Sequence, residues 1–245
     1  MYEKRLRMFA GPNGSGKSTV FKEIRKKHDV DIGVYINADD IEKKIKECRY
    51  IKLSNYHIND EISPDYFNKF IINHSLYERA TNNGYAINLK IEDGLVYSLS
   101  SITHSYEASI LSDFFRNELI ENGKKLTFET VMSHYSKIKT LKKSKKLGYK
   151  NYLYFISTES VEINKFRVQE RIIKGGHAVP INKIEARYYK SLEYLKEAIQ
   201  HTFRTFIFDN SESSSKLVLD IHCGKKVTMR QDKVPVWVDK YILQT

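Results

Sequence analysis

Eight residues near the start of the chain, Gly11-Pro12-Asn13-Gly14-Ser15-Gly16-Lys17-Ser18, carry the densest chemical signal in the sequence. The spacing Gly-x-x-x-x-Gly-Lys-Ser makes a phosphate-binding loop when a strand precedes it and a helix follows. Both flanks are present: Leu6-Arg7-Met8-Phe9-Ala10 reads as a short apolar strand, and a helix is expected from about Lys17 to Lys27. Gly11, Gly14 and Gly16 let the backbone wrap with N–H groups pointing inward, and the helix N-terminus adds partial positive charge. In such a loop Lys17 reaches the β- and γ-phosphates and the Ser18 hydroxyl ligates Mg²⁺, with Pro12, Asn13, Ser15 and Thr19 completing the cradle. A glycine turn that binds nothing is the bland alternative, and the strand–loop–helix context argues against it. ATP and Mg²⁺ are the expected cofactors.

Moving a phosphoryl group needs a carboxylate to take the acceptor proton and cations to hold the migrating charge. Asp39 and Asp40 end the run Val34-Tyr35-Ile36-Asn37-Ala38, and one of them is the candidate base. Asp40 serves equally well as the N-cap of a helix from Ile41, whereas position at a strand end favours Asp39 as the base. Arg167 and Arg171 stand four apart and share a helix face. With Arg187 they flank the turn Gly175-Gly176-His177-Ala178-Val179-Pro180, as a cationic lid or as surface decoration. His177 is either a phosphate contact or a loop residue. The strand-ending acid of motor and transporter ATPases has one counterpart, Phe206-Ile207-Phe208-Asp209-Asn210, late in the chain. The Leu-Ser-Gly-Gly-Gln signature of ABC-type ATPases and the guanine-reading Asn-Lys-x-Asp of GTPases are both absent.

The elements that must position these groups alternate. Buried strands are expected at Leu126-Thr127-Phe128-Glu129-Thr130, Asn151–Ser157 and Thr205–Asp209, and helices at about His104–Asn122, Glu162–Lys174 and Lys183–His201. Residues 41–77 read as helices with a loop around Ser63-Pro64. Ala86–Ile91 and Leu95–Leu99, joined by Asp93-Gly94, read as a β-hairpin. The fold class is therefore α/β of the P-loop NTPase kind: a mainly parallel, doubly wound sheet with flanking helices. To it are added a small β-hairpin insertion within about 45–101 and a C-terminal β-ribbon over about 216–243. One domain over 1–245 is expected, with glycine loop, acidic pair, Glu129 and Asp209 crowding the carboxyl ends of the strands.

Composition bounds the rest. The 41% hydrophobic and 12% aromatic content is that of a folded chain. Two cysteines, Cys48 and Cys223, with no Cys-x-x-Cys exclude a disulfide framework or structural zinc site. No run approaches the ~20 apolar residues that cross a bilayer, so no membrane is expected as a partner. The charged segment Met1–Arg7 lacks a secretory core, so a cytoplasmic location is expected. The net charge of +11 fits an anionic ligand, nucleic acid or an acidic protein. The sharpest basic run, Lys137–Lys150, reads as a solvated helix face ahead of a nucleic-acid patch, since no aromatic interleaves it before Tyr149.

Several blocks together resemble the zeta-toxin-like P-loop kinases. They are Ala10–Thr19, Ile36–Ile41, Phe128-Glu129-Thr130-Val131-Met132-Ser133, Asn164–Arg171, Gly175–Pro180, Arg187-Tyr188 and Asp209-Asn210-Ser211, in family order across most of 1–212. The Gly-Gly-His-x-Val-Pro variant is similar to a bacterial subgroup labelled predicted ATPases. The resemblance implies an ATP-dependent kinase, whose best-known relatives phosphorylate the 3′-hydroxyl of UDP-N-acetylglucosamine and are held inactive by a small antitoxin protein. It implies that Asp39 is the base, that Glu129, beside Thr130, helps to bind the acceptor, and that Arg167 and Arg171 are lid arginines. His177 stands near where a second arginine would be expected. Residues 45–101 are longer than in a minimal member and lie between Asp39 and Glu129, where an acceptor pocket would be built. Within them Tyr56, His57, Asn59 and Asp60 read as surface loop or, alternatively, as acceptor contacts. The tail with Trp237 falls outside the resemblance, as a sheet-edge or dimer element. Other acceptors (a nucleoside, NAD or an RNA end) and a nucleotide-binding switch without acceptor turnover stand as alternatives.

Overall fold

The alternation of apolar strands and amphipathic helices is realised in the computed structural model, which describes residues 3–28, 30–100, 105–175 and 179–244. In chain order come β1 (Arg5–Ala10), α1 (Lys17–Lys27), β2 (Val34–Ile36), α2 (Ala38–Cys48), β3 (Tyr50–Lys52), α3 (Pro64–Ile72), α4 (Ser75–Asn82), β4 (Leu89–Glu92), β5 (Leu95–Ser98) and α5 (Ser105–Glu121). Then follow β6 (Leu126–Thr130), α6 (Ser136–Lys146), β7 (Lys150–Ser157), α7 (Val161–Ile173), α8 (Ile181–Glu193), α9 (Leu195–Gln200), β8 (Arg204–Asp209), β9 (Lys216–His222), β10 (Lys226–Met229) and α10 (Val236–Val238). The chain divides into two compact units, Met1–Asp31 with Thr127–Thr245, and Ile32–Leu126.

The first unit is built on strands in the order β10-β9-β8-β7-β1-β6. β7 pairs in parallel with β1 on one side and β8 on the other. The register sets Phe9 against Tyr154 and Tyr154 against Phe206. Their rings accordingly stack across three strands, at 4.4 Å and 5.0 Å between centroids. Such same-face aromatic pairs stabilise a sheet by up to about 1 kcal/mol each beyond burial alone. The core is fully buried at Leu6, Met8, Leu153, Phe155, Ile207 and Leu219. Helix α1 packs on β1 and β7, and α6 on β7 and α9. The lysine run behaves as a helix face: Ile138, Leu141 and Ser144 turn inward, while Lys142 pairs with Glu197 at 2.7 Å and Lys145 donates to the Gln200 carbonyl.

β9 runs antiparallel to β8, and β10 antiparallel to β9, so the C-terminal ribbon joins the sheet edge. It ends at Met229, short of the expected 243, and Val236–Leu243 is helical. The cause is local: Pro235 has no N–H to give a ladder, and Trp237 and Val238 are buried, 3% and 0% exposed.

The second unit holds a three-stranded antiparallel sheet in the order β3-β5-β4. The β4–β5 hairpin turns at Asp93 (φ +48°) and Gly94 (φ +71°), the positive pair a two-residue turn requires. β3 was not expected, since 41–77 reads as helical. The three-residue strand is too short for its buried–exposed alternation at Ile51, Lys52 and Leu53 to stand out from helical flanks. Ser63 caps α3 through the Tyr66 N–H, with Pro64 at the first helical position. Tyr56 is a core residue, 5% exposed and 4.6 Å from the Phe115 ring. His57 is exposed, and the Asn59 side chain accepts from the Glu61 N–H.

Candidate active site

Because β1, β7 and β8 are parallel, their carboxyl ends share one edge of the first unit. The glycine loop follows β1 there, residues 158–160 follow β7, and residues 210–215 follow β8. The loop is gripped tightly. A Cβ at Gly11 (φ +143°) would lie 1.9 Å from the Ile156 carbonyl oxygen. One at Gly16 (φ +89°) would lie 2.2 Å from the Asn210 amide nitrogen. Both positions therefore need glycine for backbone angle and for close approach.

Two asparagines hold the loop from outside it. Asn164, fully buried on α7, donates from Nδ2 to the Asn13 carbonyl at 2.5 Å and accepts from the Thr158 hydroxyl. Asn210, after β8, donates from Nδ2 to the Ser15 carbonyl at 2.8 Å, and its own N–H donates to the Ser157 carbonyl. The Lys17 ammonium lies over the loop carbonyls, 2.9 Å from that of Gly11 and 2.8 Å from that of Pro12. Helix α1 begins at Lys17 behind Gly16, which has no side chain with which to cap it. That leaves a helix N-terminus suited to an anion. Among the described residues the buried Ser15 hydroxyl has no partner, which leaves a donor from which a phosphate oxygen could accept.

The Ser18 hydroxyl donates to Glu129 Oε2 at 2.7 Å. Hydroxyl and carboxylate form a hard-oxygen pair that suits Mg²⁺. Among the described residues no cluster of three His, Cys, Asp or Glu could hold a metal alone. An ion there would take its other ligands from phosphate and water, as Mg²⁺ commonly does. Thr130 is half-buried and its hydroxyl accepts from the Met132 N–H. Thr19 is exposed on α1.

The remaining expected residues fall in three places. The Arg167 guanidinium donates to the carbonyls of Asn210 (2.6 Å), Glu212 (3.0 Å) and Ser211 (3.4 Å), so it braces the segment that carries the loop clamp. Arg171, one turn further along α7, is exposed, and Arg187 on α8 is half-buried. His177 lies outside the described residues. Asp39 and Asp40 belong to the second unit, exposed in the first turn of α2. The cap of that helix is Asn37, whose side chain accepts from the Asp39 N–H, so Asp40 is not the cap. Burial first, and then the negative charge of Asp40, push the Tyr56 hydroxyl up to about 12, which keeps it neutral beside that carboxylate.

Asn164 and Asn210 had no role in the reading of the sequence beyond membership of its blocks. A signal for Asn164 existed: Val161, Asn164 and Val168 occupy the buried face of α7, and an amide on an apolar face implies a partner. Asn210 offers no comparable periodicity.

The fold and the loop define an α/β chain of the P-loop NTPase type. The sequence profile of the zeta toxin family matches residues 90–217, just over half of the chain, and the chain belongs to that family. Solved structures agree on the fold. A chain of the AvrRxo1-ORF1:AvrRxo1-ORF2 complex with sulphate ions superposes with TM-score 0.53 at 15% identity, over 93% of this chain and 61% of that one. The same complex with ATP gives 0.52 at 16% identity over the same shares. A chain of the PezAT chromosomal toxin-antitoxin system of Streptococcus pneumoniae gives 0.52 at 15% identity, over 98% of this chain and 79% of that one. The chain thus spans about three fifths of the AvrRxo1-ORF1:-ORF2 chains. No curated protein matches it. Among the described residues, no helix is long and apolar enough to cross a membrane.

Proposed function

We propose that the chain is an ATP- and Mg²⁺-dependent kinase of the zeta toxin type, transferring the γ-phosphoryl group of ATP to a hydroxyl acceptor in the cytoplasm. The observation that carries this reading is the Gly11–Ser18 loop, held by Asn164 and Asn210, with the Lys17 ammonium over it and Ser18 bonded to Glu129. Family membership and the likeness in fold to the AvrRxo1-ORF1:-ORF2 complex with ATP support it.

In this reading the loop N–H groups and Lys17 bind and orient the β- and γ-phosphates. Ser18 and Glu129 would hold Mg²⁺, which supplies charge neutralisation at the phosphate oxygens. Asp39 takes the proton from the acceptor hydroxyl, and the arginines of the α7–α8 region offset charge on the transferring group. The acceptor to try first is the 3′-hydroxyl of UDP-N-acetylglucosamine, the one the family resemblance implies. An antitoxin-like protein is the proposed partner, since the structural relatives include a chain of the AvrRxo1-ORF1:AvrRxo1-ORF2 complex and one of the PezAT toxin-antitoxin system.

The test is purified protein with Mg²⁺-ATP, with and without UDP-N-acetylglucosamine, following ADP release and a gain of one phosphoryl group on the acceptor. Transfer should vanish in Lys17→Ala. It should also vanish in Asp39→Ala, with ATP affinity nearly intact. Normal turnover in Asp39→Ala would move the base to Asp40, and nucleotide binding without transfer would turn the search to other hydroxyl acceptors.

A further inference from the structure

The tail of the chain lies beyond the residues that match the family, yet it is built into the edge that carries the nucleotide loop. Trp237, the only tryptophan, is 3% exposed, and its Nε1–H donates to Asp209 Oδ1 at 2.8 Å. Asp209 ends β8 and is itself 9% exposed. Its other partners are local: the Ser211 hydroxyl at 2.8 Å and the Ser211 N–H at 3.2 Å. Next door, the Val236 N–H donates to Glu159 Oε1, and the Glu159 N–H donates to the Ser211 hydroxyl at 2.7 Å. Two tail residues thus fasten the ends of both β7 and β8. Between the fastened Asp209 and Ser211 stands Asn210, whose amide holds the Ser15 carbonyl and lies where a Gly16 Cβ would be.

We propose that Trp237 is a positioning residue for the phosphate loop: through Asp209 it fixes the Asn210 amide that clamps Ser15 and Gly16. A buried carboxylate that accepts a fixed N–H has one orientation, and losing that donor frees it to follow Ser211. The clamp residue, on the same peptide segment, then loosens. The tail works as part of the nucleotide site without touching nucleotide.

The affinity arm of the test rests on the kinase reading; the backbone arm does not. Trp237→Phe keeps an aromatic ring against Phe155 and removes the donor. Hydrogen exchange of the ligand-free protein should quicken about fivefold at residues 11–18, and stay unchanged in α5 and in β9–β10. The affinity for a non-hydrolysable ATP analogue should fall about threefold to tenfold, with kcat at saturating nucleotide retained. Asn210→Ala should reproduce both effects, and adding Trp237→Phe to it should bring little more, because both act on one clamp. Exchange at 11–18 that stays at the wild-type rate, or that rises equally throughout, would reduce Trp237 to a packing residue and overturn the proposal. Should Trp237→Phe fold poorly, the isostere β-(3-benzothienyl)alanine at 237 removes only the N–H and decides the same question. A wild-type protein that binds no nucleotide would sink the kinase reading, while the exchange comparison would still decide this one.

Discussion

Replacing Asn164 by alanine tests the loop architecture where it is most concentrated. The side chain is 0% exposed between Val161 and Val168, and it donates to the Asn13 carbonyl and accepts from the Thr158 hydroxyl. The Thr158 hydroxyl keeps a second partner, the Ser160 carbonyl at 2.9 Å, so one stranded group is created, at Asn13. Two lost hydrogen bonds at about 1 kcal/mol each, plus part of the cost of an unpaired carbonyl, come to about 2–3 kcal/mol. For a domain of this size that is a fall in Tm of about 4–12 °C. ATP-analogue affinity should fall about tenfold, because one or two loop residues must now be ordered on binding at ~1–2 kcal/mol each. Urea denaturation at constant m and a fluorescent-nucleotide titration measure the two effects. Asn164→Asp sharpens the test. It keeps the volume and the acceptor for Thr158, but sets a carboxylate oxygen against the Asn13 carbonyl. It should therefore be worse than alanine near neutral pH and recover on acidification, when the protonated carboxyl can donate. A stability change under about 0.5 kcal/mol in Asn164→Ala, together with unchanged nucleotide affinity, would refute the claim that α7 holds the loop.

Two further outcomes follow from the same geometry. Glu129→Gln keeps size and an acceptor for Ser18 but removes the charge, so half-saturation by Mn²⁺ in the presence of ADP should rise about tenfold with Tm unchanged. Electron paramagnetic resonance reads this directly, and an unaltered Mn²⁺ curve would return Glu129 to the acceptor-side role that the family resemblance implies. At the sheet edge, hydrogen bonds from Arg204 (2.9 and 2.8 Å) and Arg230 (2.8 Å) hold the Asp220 carboxyl down at about 2, from an ordinary 3.8. Because the folded value is the lower one, the stabilisation is complete above about pH 4 and is lost as pH falls towards 2, amounting to about 2 kcal/mol. Asp220→Asn should be less stable than wild type by that amount at pH 7 and nearly equal to it at pH 2, by urea midpoints; a constant gap across that range would refute the assignment.

Local signals were legible in the sequence and distant partnerships were not. The glycine loop, the β7 run and the Asp93-Gly94 hairpin each declare themselves within ten residues, because backbone angle and side-chain period are set by neighbours. The clamp on the loop arises from residues 151 and 195 positions away, Asn164 and Asn210. Nothing in a polar residue's own neighbourhood says which carbonyl it will meet after folding. The tail failed for another reason: Lys226–Met229 alternates polar and apolar residues, Val236-Trp237-Val238 is a β-branched and aromatic run equally suited to a strand, and Pro235 alone marks where ladder formation stops.

The family match sharpens the point about where the site is written. Residues 90–217 carry the zeta toxin profile, and the glycine loop at 11–18 lies outside them. Inside them lie Asn164, Arg167 and Asn210, which together hold the loop and the segment that clamps it. A phosphate loop is a general device whose backbone does the binding, so its sequence says little about which fold surrounds it. The side chains that fix its carbonyls are particular to the surrounding helix and strand ends. Clamp and cradle therefore do different work in the proposed nucleotide site: variation in the clamp should tune affinity, while variation in the cradle should abolish binding.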